Sequence, residues 1–196
     1  GLNTGGMGTF SPSKVYTPQL EGAVYRDIIL PTMNAMNCEG RPFKGVLYFG
    51  LMITKKGAKV LEYNARFGDP ETQVVLPRLK TDLYEIFDAI IDGRLSDVDI
   101  QWTDDACVCV ILASGGYPES YKKGVPIAIG KLPEDIVLYH AGTAFKDGKL
   151  VTSGGRVIGV TAKGKDIEEA RKKAYDAIKN IHFDGMFYRH DIGIKL

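Results

Sequence analysis

The sequence predicts an α+β fold in which helices and antiparallel strands are followed by a small β-rich unit that closes on a helix. Three observations carry this expectation. Residues 45–54 and the stretch from Lys59 to Phe67 are strand-like on either side of Lys55-Lys56-Gly57, which is hairpin patterning. Leu83, Ile86, Phe87, Ile90 and Ile91 recur at helical spacing before Gly93. Short apolar runs at 106–113, 127–129, 136–139 and 157–161 are separated by Gly, Pro and Asp, the punctuation of short strands.

Taken in order, Asn3-Thr4-Gly5-Gly6-Met7-Gly8 is a glycine-rich loop able to turn sharply and present N–H groups to an anion. It matches neither a Walker loop nor G-x-G-x-x-G, and a plain surface turn explains it equally well. Thr17-Pro18 starts a helix, with Thr17 as cap and Pro18 at the first position. Leu20, Val24 and Ile28 give it an apolar face, Pro31 interrupts it, and a second piece runs to about Cys38 before Gly40.

If Val60–Phe67 is one extended strand, Glu62, Asn64 and Arg66 share one face and Leu61, Tyr63, Ala65 and Phe67 the other. A carboxylate, an amide and a guanidinium in a row suit Mg²⁺ and phosphate: the metal takes a few hard oxygens plus water and phosphate, and Arg pairs with phosphate through a planar fork. Simple polar-out alternation is the commoner meaning of such a pattern. Against it stands Gly68-Asp69-Pro70-Glu71, which ends the strand with Asp69 placed to cap a helix and Pro70 at its first position, so that a helix N-terminus would face the same ligand.

The helix from about Asp82 to Asp92 reads as core packing, and Arg94 to Asp105 as the joint between two domains, residues 1–99 and 100–196. In the second domain Asp166 and Glu169 form a D-x-x-E capping signature, with Ile167, Ala170, Ala174, Ala177, Ile178 and Ile181 as the buried stripe. Ser153-Gly154-Gly155-Arg156 offers an anion contact, although a tight hairpin with a solvated Arg fits the spacing somewhat better.

The 196 residues are 44% hydrophobic and 25% charged with a net charge of +1, an ordinary globular composition that gives no reason to expect nucleic acid as partner. The longest apolar run, Ala106 to Ala113, is too short to span a bilayer. Cys38, Cys107 and Cys109 form no C-x-x-C pair, and a reducing cytoplasm is the simplest compartment. The three histidines are too dispersed for zinc, and no nucleophile motif appears. The opening Gly1-Leu2-Asn3-Thr4-Gly5-Gly6 reads as loop chemistry with no element before it, so the chain is expected to be the later part of something longer.

Three stretches then coincide: Asn3-Thr4-Gly5-Gly6-Met7-Gly8 with Ser11-Pro12, Leu61-Glu62-Tyr63-Asn64-Ala65-Arg66-Phe67-Gly68-Asp69-Pro70-Glu71-Thr72-Gln73, and Tyr188-Arg189-His190-Asp191-Ile192-Gly193. Together, and in this order, they resemble the glycinamide ribonucleotide synthetase (phosphoribosylamine–glycine ligase) family of the ATP-grasp superfamily. The resemblance implies the C-terminal part of an ATP-grasp core followed by the family's final domain. It implies that ATP activates the carboxylate of glycine as an acyl phosphate, which the amine of phosphoribosylamine then attacks. Glu62 and Asn64 would hold Mg²⁺ or Mn²⁺, and Arg66 would steady phosphate. Asn3, Thr4, Gly5, Gly6, Met7, Gly8, Asp69, Pro70 and Glu71 would line the substrate side, with Arg156 near the product phosphate. The family's N-terminal half, with its nucleotide lid, would precede Gly1, and an isolated chain of this kind should turn over poorly. Another ATP-grasp ligase, or a non-catalytic domain that binds a phosphorylated metabolite, are the rival readings.

Overall fold

In the computed structural model, which describes residues 2–194, the chain opens with β1 (Gly8–Ser11), α1 (Pro18–Val24), α2 (Leu30–Cys38), β2 (Tyr48–Thr54), β3 (Gly57–Asn64), α3 (Thr72–Val75) and α4 (Leu83–Asp92). It continues through β4 (Ala106–Ala113), β5 (Ala128–Ile129), β6 (Ile136–His140), β7 (Thr143–Lys146), β8 (Lys149–Thr152), β9 (Arg156–Gly164), α5 (Ile167–Ile178) and β10 (Ile181–His182). Every strand pairing among the described residues is antiparallel, as an α+β fold of this kind requires. The chain divides into two compact units, one of residues 13–68 and 79–102, the other of residues 2–12, 69–78 and 103–194. No described helix is long and apolar enough to cross a membrane.

In the first unit, Thr17 caps α1 by accepting from Leu20 N–H at 3.3 Å, with Pro18 at the first position. Between α1 and α2 the backbone runs as a π-helical stretch, Tyr25–Ile29, in which Leu30 N–H reaches back to Tyr25 C=O. Pro31 follows at once and has no N–H to give, so the wider turn absorbs the break that a proline imposes. β2 and β3 form the expected hairpin. In α4, capped by Asp82 Oδ1 on Tyr84 N–H at 2.8 Å, Ile86 and Ala89 are buried, whereas Phe87 and Ile91 are exposed; only part of the apolar stripe is core.

Two features of the central stretch depart from the sequence reading. β3 ends at Asn64 and the chain bends at Ala65 and Arg66, so Arg66 is not a third residue on the strand face. The helix after it, α3, is a single turn whose N-terminal neighbour Glu71 makes no side-chain cap; Asp69 and Pro70 lie in the turn before it. Asp69 is therefore not a helix cap, because its carboxylate is engaged elsewhere.

The second unit is built on the sheet β1-β4-β9-β6. Every residue of β4 is buried, because its two faces feed two apolar clusters. Val108, Val110 and Leu112 pack with Ile158, Val160 and Ala162 of β9 and with Ala170, Ala174, Ala177 and Ile178 of α5. Cys107, Cys109 and Ile111 face the other way against Val74 of α3. A strand covered on both sides loses the apolar–polar alternation, which is why 106–113 is continuously apolar. The D-x-x-E signature of α5 caps the helix, Asp166 Oδ1 accepting from Glu169 N–H at 2.8 Å, while Glu169 Oε2 reaches one residue past the cap and accepts from Lys165 N–H at 3.0 Å. Burial pushes the Cys107 thiol up to about 11 and the Cys109 thiol up to about 12, so both act as small apolar groups.

Candidate functional site

Glu62 and Asn64 meet on one face of β3, where Asn64 Nδ2 donates to Glu62 Oε1 at 3.2 Å. Two strand features put them there. The register slips by one residue, Gly50 opposing Glu62 and Leu51 opposing Val60, so Leu61 is the extra residue of a bulge that re-aims the side chain beside it. Gly50 leaves room for that side chain: a Cβ at this position would lie 2.8 Å from Glu62 Cγ. On the opposite face Tyr63 stacks edge-on against Phe49, with ring centroids 5.3 Å apart. The exposed carboxylate and the neighbouring amide oxygen form a small set of hard oxygen donors. A single carboxylate with an amide oxygen suits an ion that fills its shell with water and phosphate; among the described residues no group of three or more His, Cys, Asp or Glu could hold a metal. Mg²⁺ behaves in that way, and the donor set fits it.

Arg66 turns its guanidinium onto its own backbone, with Nη1 donating to Phe67 C=O at 2.9 Å. The apolar cleft of about 560 Å³ in the same unit, lined by residues such as Met36, Phe43, Leu47 and Tyr63, contains none of the sequence-predicted site residues.

In the other unit, Arg156 at the start of β9 gathers the predicted substrate-side residues. Its Nη1 donates to Gly6 C=O at 3.2 Å and to Asp69 C=O at 2.7 Å, and its Nη2 donates to Asp69 Oδ2 at 2.9 Å. Asp69 Oδ1 accepts from Gln73 Nε2 at 2.8 Å. The arginine side chain is 23% exposed and the aspartate 51%, so one flank of the cluster stays open to solvent. Pro70 lies against Gly6, and Gly5 N–H donates to Tyr117 Oη at 2.9 Å. Asn3 and Thr4 are exposed, Met7 C=O accepts from Ile111 N–H at 3.1 Å, and Gly8 opens β1 opposite Val110. Glu71 contributes its backbone carbonyl to the first bonds of α3.

Gly5, Gly6, Asp69, Pro70 and Arg156 are thus brought together, and Glu62 with Asn64, while Arg66 leaves the strand face on which it was expected. Arg156, anticipated as an anion contact, uses its fork to tie two backbone segments. Gly50, Gln73 and Tyr117 were missed by sequence reasoning. An isolated glycine inside a strand pattern does signal a bulge or close approach, so Gly50 carried a usable sign.

Two family models match the chain: "Phosphoribosylglycinamide synthetase, ATP-grasp (A) domain" over residues 1–72 and "Phosphoribosylglycinamide synthetase, C domain" over residues 107–195. A phosphoribosylamine–glycine ligase of Caldanaerobacter subterraneus subsp. tengcongensis is 51% identical over 192 residues, covering 98% of this chain and 46% of that protein. The crystal structure of the phosphoribosylamine–glycine ligase of Thermotoga maritima superposes with a TM-score of 0.81 at 37% identity, covering 97% of this chain and 47% of that one. A biotin carboxylase of Campylobacter jejuni shares the fold alone, with a TM-score of 0.64 at 13% identity over 93% of this chain and 40% of that one. The chain therefore spans about half the length of the curated relatives it matches.

Proposed function

Because the chain belongs to the phosphoribosylglycinamide synthetase family, we propose that it is the C-terminal portion of an enzyme that joins glycine to 5-phosphoribosylamine at the expense of ATP, in de novo purine synthesis. The matched ranges support a division into an ATP-grasp portion, residues 1–99, and a C-terminal domain, residues 100–196. In this reaction glycine's carboxylate attacks the γ-phosphorus of ATP to give glycyl phosphate and ADP. The amine then displaces phosphate and forms the amide. The remainder of the same protein supplies the nucleotide lid, and the cytoplasm is the expected compartment.

The observation that carries the reading is the convergence of Glu62 and Asn64, in a chain about half identical to such a ligase. These two residues would hold Mg²⁺ or Mn²⁺, which neutralises charge on the phosphates when bound. Arg66 releases a carbonyl on an exposed bend to take phosphate, a stronger charge-assisted partner. Arg156 fixes the Asn3–Gly8 loop against Asp69 and Pro70, and so orients the substrate wall before the substrate arrives. Phosphoryl and acyl transfer of this kind needs positioning and charge stabilisation rather than a protein nucleophile, in agreement with the absence of a nucleophile motif.

The test is a substrate panel on the full-length protein. ADP release and glycinamide ribonucleotide formation should both require glycine, phosphoribosylamine, ATP and Mg²⁺. ATP turnover with another carboxylate–amine pair, and none with this one, would overturn the reading.

A further inference from the structure

We propose that Tyr117, in the loop after β4, is a positioning residue for the glycine-rich loop: it fixes the Gly5–Gly6 backbone of the substrate wall through its hydroxyl and wedges its ring over Gly155. The inference rests on the ligase reading for its effect on substrate, and on geometry alone for its effect on the loop.

Two chain segments far from it in sequence, the Gly5 loop and the turn at Gly155, close on this tyrosine. Gly5 N–H donates to Tyr117 Oη at 2.9 Å. A Cβ on Gly5 would sit 3.1 Å from both that oxygen and Arg156 Nε, tighter than ordinary van der Waals contact. On its other side the ring covers Gly155 so closely that a Cβ there would lie 2.2 Å from Tyr117 Cδ2. Both glycines are thus sized to the tyrosine. The loop that carries Tyr117 is anchored to the same turn: Ser114 N–H donates to Gly155 C=O at 2.8 Å, Ser114 Oγ donates to Gly154 C=O at 2.9 Å, and Tyr117 N–H donates to Ser114 C=O at 3.1 Å. The next residue along, Arg156, binds Gly6 C=O and Asp69. The turn 153–156 and the Tyr117 loop anchored to it therefore present two grips on the glycine-rich loop, Arg156 on the carbonyl of Gly6 and Tyr117 on the N–H of Gly5. The N–H of Gly5 is spent on the tyrosine, so it shapes the loop instead of serving as an anion donor.

Tyr117→Phe keeps the ring and removes only the acceptor, so the fold is retained. In the full-length protein, amide exchange over residues 3–8 should accelerate about fivefold, the equilibrium factor of one net hydrogen bond. The KM for glycine or phosphoribosylamine should rise by a similar factor while the KM for ATP stays within twofold, a split that general destabilisation would not produce. Gly155→Ala, which displaces the ring, should change the same quantities in the same direction and further. Unchanged exchange in both variants would overturn the proposal, and so would faster exchange with all three KM values rising alike. If the wild-type protein does not ligate glycine, the functional reading fails on its own, and the exchange measurement still decides whether Tyr117 holds the loop.

Discussion

Replacing Gly50 with alanine puts a methyl group where Glu62 now lies. The added Cβ would stand 2.8 Å from Glu62 Cγ, about 1 Å inside the ordinary carbon–carbon contact distance. The backbone cannot yield easily, because Gly50 and Glu62 are direct partners in the ladder and the bulge at Leu61 already takes up the local slack. Glu62 must rotate to another rotamer instead, which breaks its contact with Asn64. Glu62 is exposed, so little of this appears as lost stability; the effect falls on ligand geometry. A misplacement near 1 Å at a reacting centre lowers rates by roughly 100-fold. The assay is the ligation rate of the full-length protein as a function of Mg²⁺. Gly50→Ala should raise the half-saturating Mg²⁺ concentration by about tenfold or more. Gly22→Ala is the control, since a Cβ there meets nothing within 4 Å and the residue lies in α1. Wild-type Mg²⁺ dependence in Gly50→Ala would refute the argument that Glu62 is a metal ligand held in place by the absence of a side chain opposite it.

Arg156→Lys keeps the charge but loses the planar fork, so it cannot hold Gly6 C=O, Asp69 C=O and the Asp69 carboxylate together. The pair is partly exposed, so melting should shift by only a few degrees while the KM of the substrate lining this wall rises about tenfold; calorimetry and steady-state kinetics check both, and a large melting shift without a kinetic effect contradicts the assignment. Cys38 is exposed and should alkylate at pH 8, while Cys107 and Cys109 should stay protected, as mass spectrometry of iodoacetamide-treated native protein would show. Burial raises both thiols above their ordinary value, so the native state holds protons that the unfolded state gives up. Their stabilising effect is complete below about pH 9 and is lost as pH rises toward about 11 to 12. Urea midpoints should fall over that window, and the double variant Cys107→Ala, Cys109→Ala should flatten the fall.

What the sequence made legible was what local rules decide. The cap at Thr17, the D-x-x-E signature of α5 and the doubly covered strand 106–113 rest on short-range chemistry or on an unmistakable apolar run. The hairpin β7–β8 was missed although Asp147-Gly148 carries the positive φ values that such tight turns demand, a signal that was present and unused. β1 was not foreseen because its four half-buried residues gain strand character only by pairing with β4, some hundred positions away. Asp69 shows the same limit at the site. An acidic residue before a proline and a helical turn reads as a cap, but Arg156 and Gln73 supply stronger partners that nothing local announces. Glu62 and Asn64 were legible because strand periodicity places them on one face, whereas Arg66 was not, since the strand ends three residues earlier than the pattern suggests.

The central claim is that Glu62, with Asn64, holds the metal of an ATP-dependent ligase. It is tested most directly by measuring Mg²⁺-dependent glycinamide ribonucleotide formation by full-length Glu62→Ala. The structure predicts a loss beyond the roughly 10- to 100-fold typical even of residues that only support metal ligands. Near-normal turnover at the wild-type Mg²⁺ concentration would contradict it.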